Sequence, residues 1–138
     1  MAYEMKWLIP DMIFHIRIYG DHNVKEVAEL SVEMNEIFNQ VTGDPIITMV
    51  NIENVRTVPT DVYRLRGSMF EAMKNPKNEM FVVYGGGDSS GISKFVLNML
   101  SSLMKVDIRI FPSRKAAMAL IAETHPHLIE AMKQVATH

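Results

Sequence analysis

The sequence predicts an α/β protein built on a mixed four- to five-stranded sheet, in the order ββαβαβαβα with one further C-terminal helix. Three observations support this prediction. Apolar and polar residues alternate through the first twenty positions, which is typical of strands with one buried face. Two short runs, 46–52 and 80–84, are largely apolar, which is typical of strands covered on both faces. Segments with helical spacing of apolar residues separate the strands, and such alternation predicts parallel central strands joined by right-handed crossovers.

The first two strands are predicted to pair as an antiparallel hairpin at the start of the chain. Residues 3–9 and 12–19 both alternate, and a Pro-Asp pair between them favours a turn. One face of the second strand is apolar, so the strand is half-buried. The other face carries His15 and Arg17, which we expect to face solvent.

The middle of the chain alternates helix and strand. Asn23 and Glu26 have the spacing of a capping box at the start of the first helix, which ends at a Thr-Gly-Asp-Pro segment. The first buried strand leads into a loop over 53–61, and a second helix begins at Thr60 or Asp61. A glycine-rich loop after the second buried strand opens the third predicted helix.

The C-terminal third is predicted to form an edge strand and two helices. Residues 106–110 alternate between apolar and charged side chains, so this strand has one wet face and belongs at a sheet edge. Ser113, behind Pro112, caps a fourth helix. A His-Pro-His segment interrupts that helix, and residues 128–136 form a further short one. Helices stacked on one side leave the central strip of the other sheet face to be covered by this tail or by a partner subunit.

Composition indicates one globular domain. The 138 residues are predicted to form a single domain over 1–138, with a core over about 3–124 and a helical extension over 125–138. The net charge is −2 with scattered basic residues, which argues against nucleic-acid binding. The absence of cysteine removes disulfides, thiolate catalysis and Cys-based zinc sites, and it fits a reducing, cytoplasmic location. No apolar run is long enough to predict a membrane span.

Three segments of the chain resemble a known family. They are the Gly-Asp pair after the second strand, residues 48–55 (TMVNIENV), and residues 108–113 (IRIFPS) ahead of an alanine-rich helix. With the element order, they make residues 5–123 similar to the STAS/SpoIIAA-like proteins, the bacterial anti-sigma factor antagonists and their relatives. The chain looks closer to the uncharacterised SpoIIAA-like relatives than to the sigma-factor regulators. The resemblance implies a superhelix of strand–helix turns and a non-enzymatic, regulatory role.

The resemblance also implies a docking site for a protein partner. In the family, the loop ahead of the second helix carries a phosphorylatable serine and docks on a partner kinase or regulator. Thr60 falls at the corresponding position here. The implied partner loop and phospho-acceptor comprise Asn54, Arg56, Thr57, Thr60 and Asp61. A plain helix cap and solvated arginines are the alternative interpretation of these residues. The family's Asp-Ser-Ser-Gly motif recurs only at 88–91, one strand–helix unit later, which we interpret as coincidence.

The glycine-rich loop after the second buried strand is a second candidate site. Backbone amides beside glycines can approach an anion closely, and a helix N-terminus adds partial positive charge. The alternative is a flexible turn in which one polar residue caps the helix. The loop is not a P-loop, because Ile92 and Ser93 stand where Lys and Ser or Thr are required. The predicted ligand contacts are Gly85, Gly86, Gly87, Asp88, Ser89 and Ser90.

Two functional hypotheses follow, and neither includes a catalytic residue, a metal or a cofactor. The first is a regulatory domain that binds a protein partner through the loop before the second predicted helix. The second is a small-molecule binding module for an apolar or acidic ligand, which uses the loop over 85–91 and the second and third predicted helices. It predicts a cavity lined by Met69, Met73, Phe95 and Met99. The apolar strip and the extra helix also predict a homodimer. Neither hypothesis names the partner or the ligand.

Overall fold

A five-stranded sheet forms the centre of the protein. The computed structural model describes residues 3–21, 24–42, 45–57, 75–85 and 107–136. The strands are β1 (Tyr3–Ile9), β2 (Ile13–Asp21), β3 (Ile46–Thr57), β4 (Asn78–Tyr84) and β5 (Ile108–Phe111). They lie in the order β1-β2-β3-β4-β5. β1 is antiparallel to β2, and the other neighbours are parallel. The predicted mixed α/β sheet, with its N-terminal hairpin, is therefore confirmed.

Helices flank the sheet in the described part of the chain. They are α1 (Val24–Asn39), α2 (Arg114–Thr124) and α3 (Ile129–Ala136), with a 3-10 turn, Pro126–Leu128, between the last two. The helices predicted after β3 and after β4 lie outside the described residues. No described helix is long and apolar enough to cross a membrane.

One face of the sheet packs against α1. We call this cluster the α1-side core; its buried members include Phe14, Ile16, Leu30, Met34, Phe38, Ile46, Phe81 and Val83. The alternation of β2 directs Phe14 to this face, where its ring makes edge contacts with Trp7 and Phe38 at centroid distances of 4.9 and 5.4 Å. Aromatic pairs in this geometry contribute beyond the area that they bury.

The opposite face packs against α2 and α3. We call this cluster the tail-side core; its buried members include Ile13, Ile47, Met49, Val82, Ala117, Ile121, Leu128 and Met132. The chain's own C-terminal segment therefore covers the central strip that we expected a tail or a second subunit to cover. The 3-10 turn positions this segment, since Pro126 ends α2 and buried Leu128 follows at once.

Local signals account for the bounds of α2. Ser113 has extended backbone angles, and its hydroxyl accepts a hydrogen bond from the Ala116 amide at 3.2 Å, as the sequence predicts for an N-cap. At the other end, the His125 amide donates to the Ile121 carbonyl at 2.7 Å, and the His125 ring lies 3.1 Å from Glu79 on β4. Both ends of α2 are thus fixed by named contacts.

Replacing Leu128 with Ala is expected to lower the free energy of unfolding by about 2–4 kcal/mol, because the side chain is buried between the tail and the sheet. Urea denaturation followed by circular dichroism measures this loss. Val32→Ala on α1 is the control, since Val32 is exposed and its truncation should change stability by less than about 0.5 kcal/mol. Equal effects of the two changes would mean that the tail does not pack on the sheet as described.

β3 is longer than predicted. The predicted loop over 53–61 begins in fact as strand, because β2 and β3 stay paired beyond Asn51 as far as Asp21 and Thr57. Two register irregularities in this stretch are the reason, since such bulges let strands of unequal length remain paired. They also direct Val55 into the α1-side core, where it is buried.

Candidate functional site

A polar cleft opens on the tail side of the sheet, where β4 ends beside the middle of β2 and β3. It encloses about 580 Å³. Its described lining residues come from four strands and the first turn of α2: Glu4, Met5, Lys6, His15, Arg17, Asn51, Glu53, Asn54, Tyr84 and Arg114. In sheets with parallel strands, ligands characteristically bind beside the carboxyl ends of the strands. The cleft reaches this position at β4, whose last residue, Tyr84, lines it.

The strand register arranges these residues in two rows. Residues that pair across neighbouring strands lie side by side, and side chains two residues apart share a face. The outer row, from β1 to β4, is Glu4, Arg17, Asn51 and Tyr84. The inner row begins with Lys6 and His15 and continues into the apolar Met49 and Val82. The cleft floor is therefore where the polar end of this face meets the tail-side core.

A buried histidine–tyrosine pair forms the floor. His15 Nε2 lies 2.7 Å from the Tyr84 hydroxyl oxygen, across the intervening strand β3. His15 is 6% exposed and Tyr84 is 1% exposed. The expectation that His15 faces solvent is wrong, because the Tyr84 side chain from β4 and Arg114 at the start of α2 lie beside the ring. Arg17, two residues further along, is exposed as expected.

Three cations surround the His15 ring. Burial, followed by the charges of Arg114, Lys6 and Arg17, lowers the pKa of His15 to about 4. The imidazole is therefore neutral near pH 7. With Glu4 and Glu53 as the only carboxylates among the described lining residues, the cleft carries three positive and two negative charges. The cations lie around the floor, which is the part that would attract an anionic group.

The Tyr84 hydroxyl keeps its proton at neutral pH. Burial raises the pKa of Tyr84, although the neighbouring Arg114 charge and a side-chain hydrogen bond with Asn51 act in the opposite direction. Asn51 is itself fixed, because its Oδ1 accepts the Glu53 amide at 2.9 Å. A protonated hydroxyl can donate one hydrogen bond and accept others. Tyr84 is thus able to contact both His15 and a bound molecule.

Comparison with known proteins identifies the architecture. No family model matches the chain, and no curated protein matches it in sequence. Among solved structures it is similar to an uncharacterised protein of the DUF3478 family with a SpoIIAA-like fold, from Shewanella loihica PV-4. The match covers 86% of this chain and 91% of that one, with a TM-score of 0.59 and 10% identity. The fold is SpoIIAA-like. The family resemblance deduced from the sequence is thereby confirmed at the level of the fold.

The structure of this SpoIIAA-like fold describes part of the predicted partner loop. Asn54 is exposed and lines the cleft. Arg56 and Thr57 belong to β3, although their side chains lie outside the described part of the structure. Thr60 and Asp61 lie outside the described residues as well. Among the described side chains of these five residues, that of Asn54 therefore lies beside the cleft.

The predicted glycine loop begins at the edge of the same site. Gly85 follows β4 directly and has a φ of +91°, a conformation that glycine adopts without strain. A Cβ atom here would collide with the Glu53 side chain. Glycine thus lets β4 end close against β3 beside the cleft. The other predicted contacts, Gly86, Gly87, Asp88, Ser89 and Ser90, lie outside the described residues, as do the four residues of the predicted apolar cavity, Met69, Met73, Phe95 and Met99.

Sequence reasoning missed most of the cleft. It treated Arg17 and His15 as solvated, and it assigned no role to Lys6, Tyr84 or Arg114. One signal was available: the polar face of β2 continues to the carboxyl end of that strand, and β2 lies beside a central parallel strand. In this class of sheet, sites are expected at the carboxyl ends of such strands. The contribution of α2 could not be predicted, because no local pattern indicates which sheet face a C-terminal helix covers.

Proposed function

We propose that the protein is a non-enzymatic binding domain that holds a small acidic molecule in the cleft. The observation that carries this proposal is the buried His15–Tyr84 pair at the cleft floor, surrounded by Lys6, Arg17 and Arg114. A cluster of cations in one cleft is repulsive. An anion bound between these side chains would relieve the repulsion.

The size and chemistry of the cleft fit a small molecule. Small-molecule sites enclose roughly 300–1,000 Å³, and this cleft lies within that range. Arginine recognises carboxylate or phosphate through paired hydrogen bonds, and two arginines reach this cleft. Glu4 and Glu53 favour a ligand that also carries hydroxyl or amino donors, because they would repel a molecule that is acidic throughout.

The titratable groups favour binding over catalysis. None of the described lining residues is Ser, Thr or Cys, the common hydroxyl and thiol nucleophiles. His15, with a pKa of about 4, is a weak base near pH 7, where an effective general base needs a pKa close to the working pH. Tyr84 retains its proton. The SpoIIAA-like fold is compatible with such a binding role.

A protein partner is the second candidate. Glu53 and Asn54 are exposed at the end of β3 and border the cleft, so an acidic side chain of a docked partner could enter it. This version keeps the docking hypothesis for Asn54, Arg56, Thr57, Thr60 and Asp61, with a kinase or regulator as partner and Thr60 as phospho-acceptor. Its signature is a phosphoryl group on Thr60 in protein purified from its source, detected by intact-mass analysis.

Arg17→Ala and Arg114→Ala are each expected to weaken binding of an acidic ligand by at least about tenfold, because each removes a charge-assisted hydrogen-bond donor worth about 1.5–3 kcal/mol. The ligand is identified first by native mass spectrometry of protein from its source. A panel of di- and tricarboxylates and phosphate esters, tested by thermal shift and calorimetry, then gives affinities.

Arg109→Ala is the matched control. Arg109 is an exposed arginine on β5 that pairs with Asp107 and does not line the cleft. Its loss should leave affinity unchanged. If a ligand binds equally well to wild type and to both cleft variants, the site of binding lies elsewhere and the proposal is wrong.

A further inference from the structure

We propose that binding of an anionic group in the cleft takes up one proton at His15, and that the charged ring then releases the Tyr84 hydroxyl to donate to the ligand. This inference rests on the proposed function, because it needs an acidic ligand in the cleft. It adds a regulatory property, since binding and proton uptake become linked.

The geometry of the pair defines the switch. A neutral imidazole has one donor and one acceptor nitrogen, so the 2.7 Å bond between His15 Nε2 and the Tyr84 hydroxyl can run in either direction. An imidazolium carries hydrogen on both nitrogens. Nε2 must then donate to the tyrosine oxygen, and the tyrosine hydrogen is free to point elsewhere. Protonation of His15 thereby fixes the direction of this bond and leaves the Tyr84 hydroxyl as a donor available to the cleft.

The charges around His15 oppose protonation while the cleft is empty. The described groups that face the ring are Lys6 on β1, Arg17 on β2, Tyr84 on β4 and Arg114 on α2. Tyr84 is neutral and the other three are positive, so charging His15 would add a fourth positive charge. An anion seated among them cancels part of this repulsion. Its effect on His15 is to raise the pKa from about 4 toward the ordinary value.

The proton balance is simple. The proton that His15 gains comes from the solvent, and Tyr84 keeps its own proton, since burial raises the pKa of that hydroxyl. No covalent bond to the ligand forms. Linkage requires that whatever favours the charged ring also favours the ligand, so a lower pH must tighten binding.

The size of the effect follows from the two pKa values. If the anion restores His15 to its ordinary pKa of about 6.5 from about 4, binding is about twentyfold tighter at pH 5 than at pH 7. A smaller rise gives a proportionally smaller ratio. The direction is fixed, because proton uptake on binding can only increase affinity as the pH falls.

The test uses inorganic sulfate, an anion that does not titrate between pH 4 and pH 8. The His15 ring is titrated by NMR with and without saturating sulfate, and His127, an exposed histidine outside the cleft, serves as the internal reference. We expect the pKa of His15 to rise by at least one unit with sulfate, whereas the NMR signals of the His127 ring should not respond to sulfate. Calorimetry in buffers of different ionisation enthalpy should give an uptake of up to one proton per sulfate near pH 5.

Two variants separate the roles of the pair. His15→Gln should lose most of the pH dependence of sulfate binding, and Tyr84→Phe should keep the proton uptake but bind several-fold more weakly. Sulfate binding to the wild-type protein with an unchanged His15 pKa would overturn the inference and leave the proposed function standing. Failure of sulfate and of the acid panel to bind at any pH would overturn both.

Discussion

Replacing Phe14 with Ala is expected to lower the free energy of unfolding by about 3–5 kcal/mol. Phe14 is 1% exposed, and its ring is held between Trp7 and Phe38 by two edge contacts. Removing the ring loses its burial and both aromatic contacts, and it leaves a cavity that a sheet packed against α1 cannot fully close. Urea denaturation gives the loss. Trp7 is the chain's only tryptophan, so its fluorescence reports on this cluster directly.

The control for this prediction is Ile110→Ala on the edge strand β5. Ile110 is a large apolar side chain in the same sheet, but it is 45% exposed. Its truncation should cost less than about 1 kcal/mol, because little buried area is lost. A loss below about 1.5 kcal/mol for Phe14→Ala would show that the ring cluster does not hold the α1-side core together.

Acidification is expected to destabilise the protein through His15. The folded state holds the pKa of His15 at about 4, whereas the unfolded chain restores the ordinary value of about 6.5. Between these values the unfolded state binds more protons, so the contribution of His15 is fully present above pH 6.5 and is lost as the pH falls toward 4. We expect about 2–3 kcal/mol of destabilisation over this window. This is somewhat less than the free energy that corresponds to the full pKa difference, because the cleft admits water.

His15→Gln isolates this effect from that of the carboxylates. An amide can still bond to the Tyr84 hydroxyl, and it has no proton to gain in this range. Between pH 7 and pH 4, the wild type should therefore lose about 2–3 kcal/mol more unfolding free energy than the variant does. His127→Gln, at an exposed position outside the cleft, should leave the pH dependence unchanged. A constant difference for His15→Gln would mean that the ring is not held neutral by its surroundings.

Local patterns were sufficient to predict much of the sheet. Alternation identified the hairpin and the edge strand, and apolar runs identified the central part of β3 and β4. Ser113 and Pro126 set the start of α2 and the break after it through capping chemistry and proline's fixed backbone. These features depend on neighbours a few residues away, so one sequence contains the information.

Long-range features were not predictable in the same way. Period-two alternation shows that His15 and Arg17 share a face, but not that His15 is buried and Arg17 is left in solvent. The extension of β3 to Thr57 depends on bulges that form only when β2 is paired beside it. Asn54 was predicted for the partner loop and lines the cleft, and Gly85 was predicted as a ligand contact and directly follows β4; both roles stay predictions. Arg114 was missed because its place depends on how α2 docks.

The covering of the cleft face by α2 and α3 has a consequence for the synthesis of the protein. A ribosome synthesises a chain from the N-terminus to the C-terminus. The strands therefore emerge before the segment that covers this face. Until then Ile13 and Ile47 have no tail to pack against, and Arg114 has not joined the cleft. A nascent chain would therefore expose an apolar strip that chaperones recognise. The cleft is therefore completed only after the first turn of α2 has emerged from the ribosome.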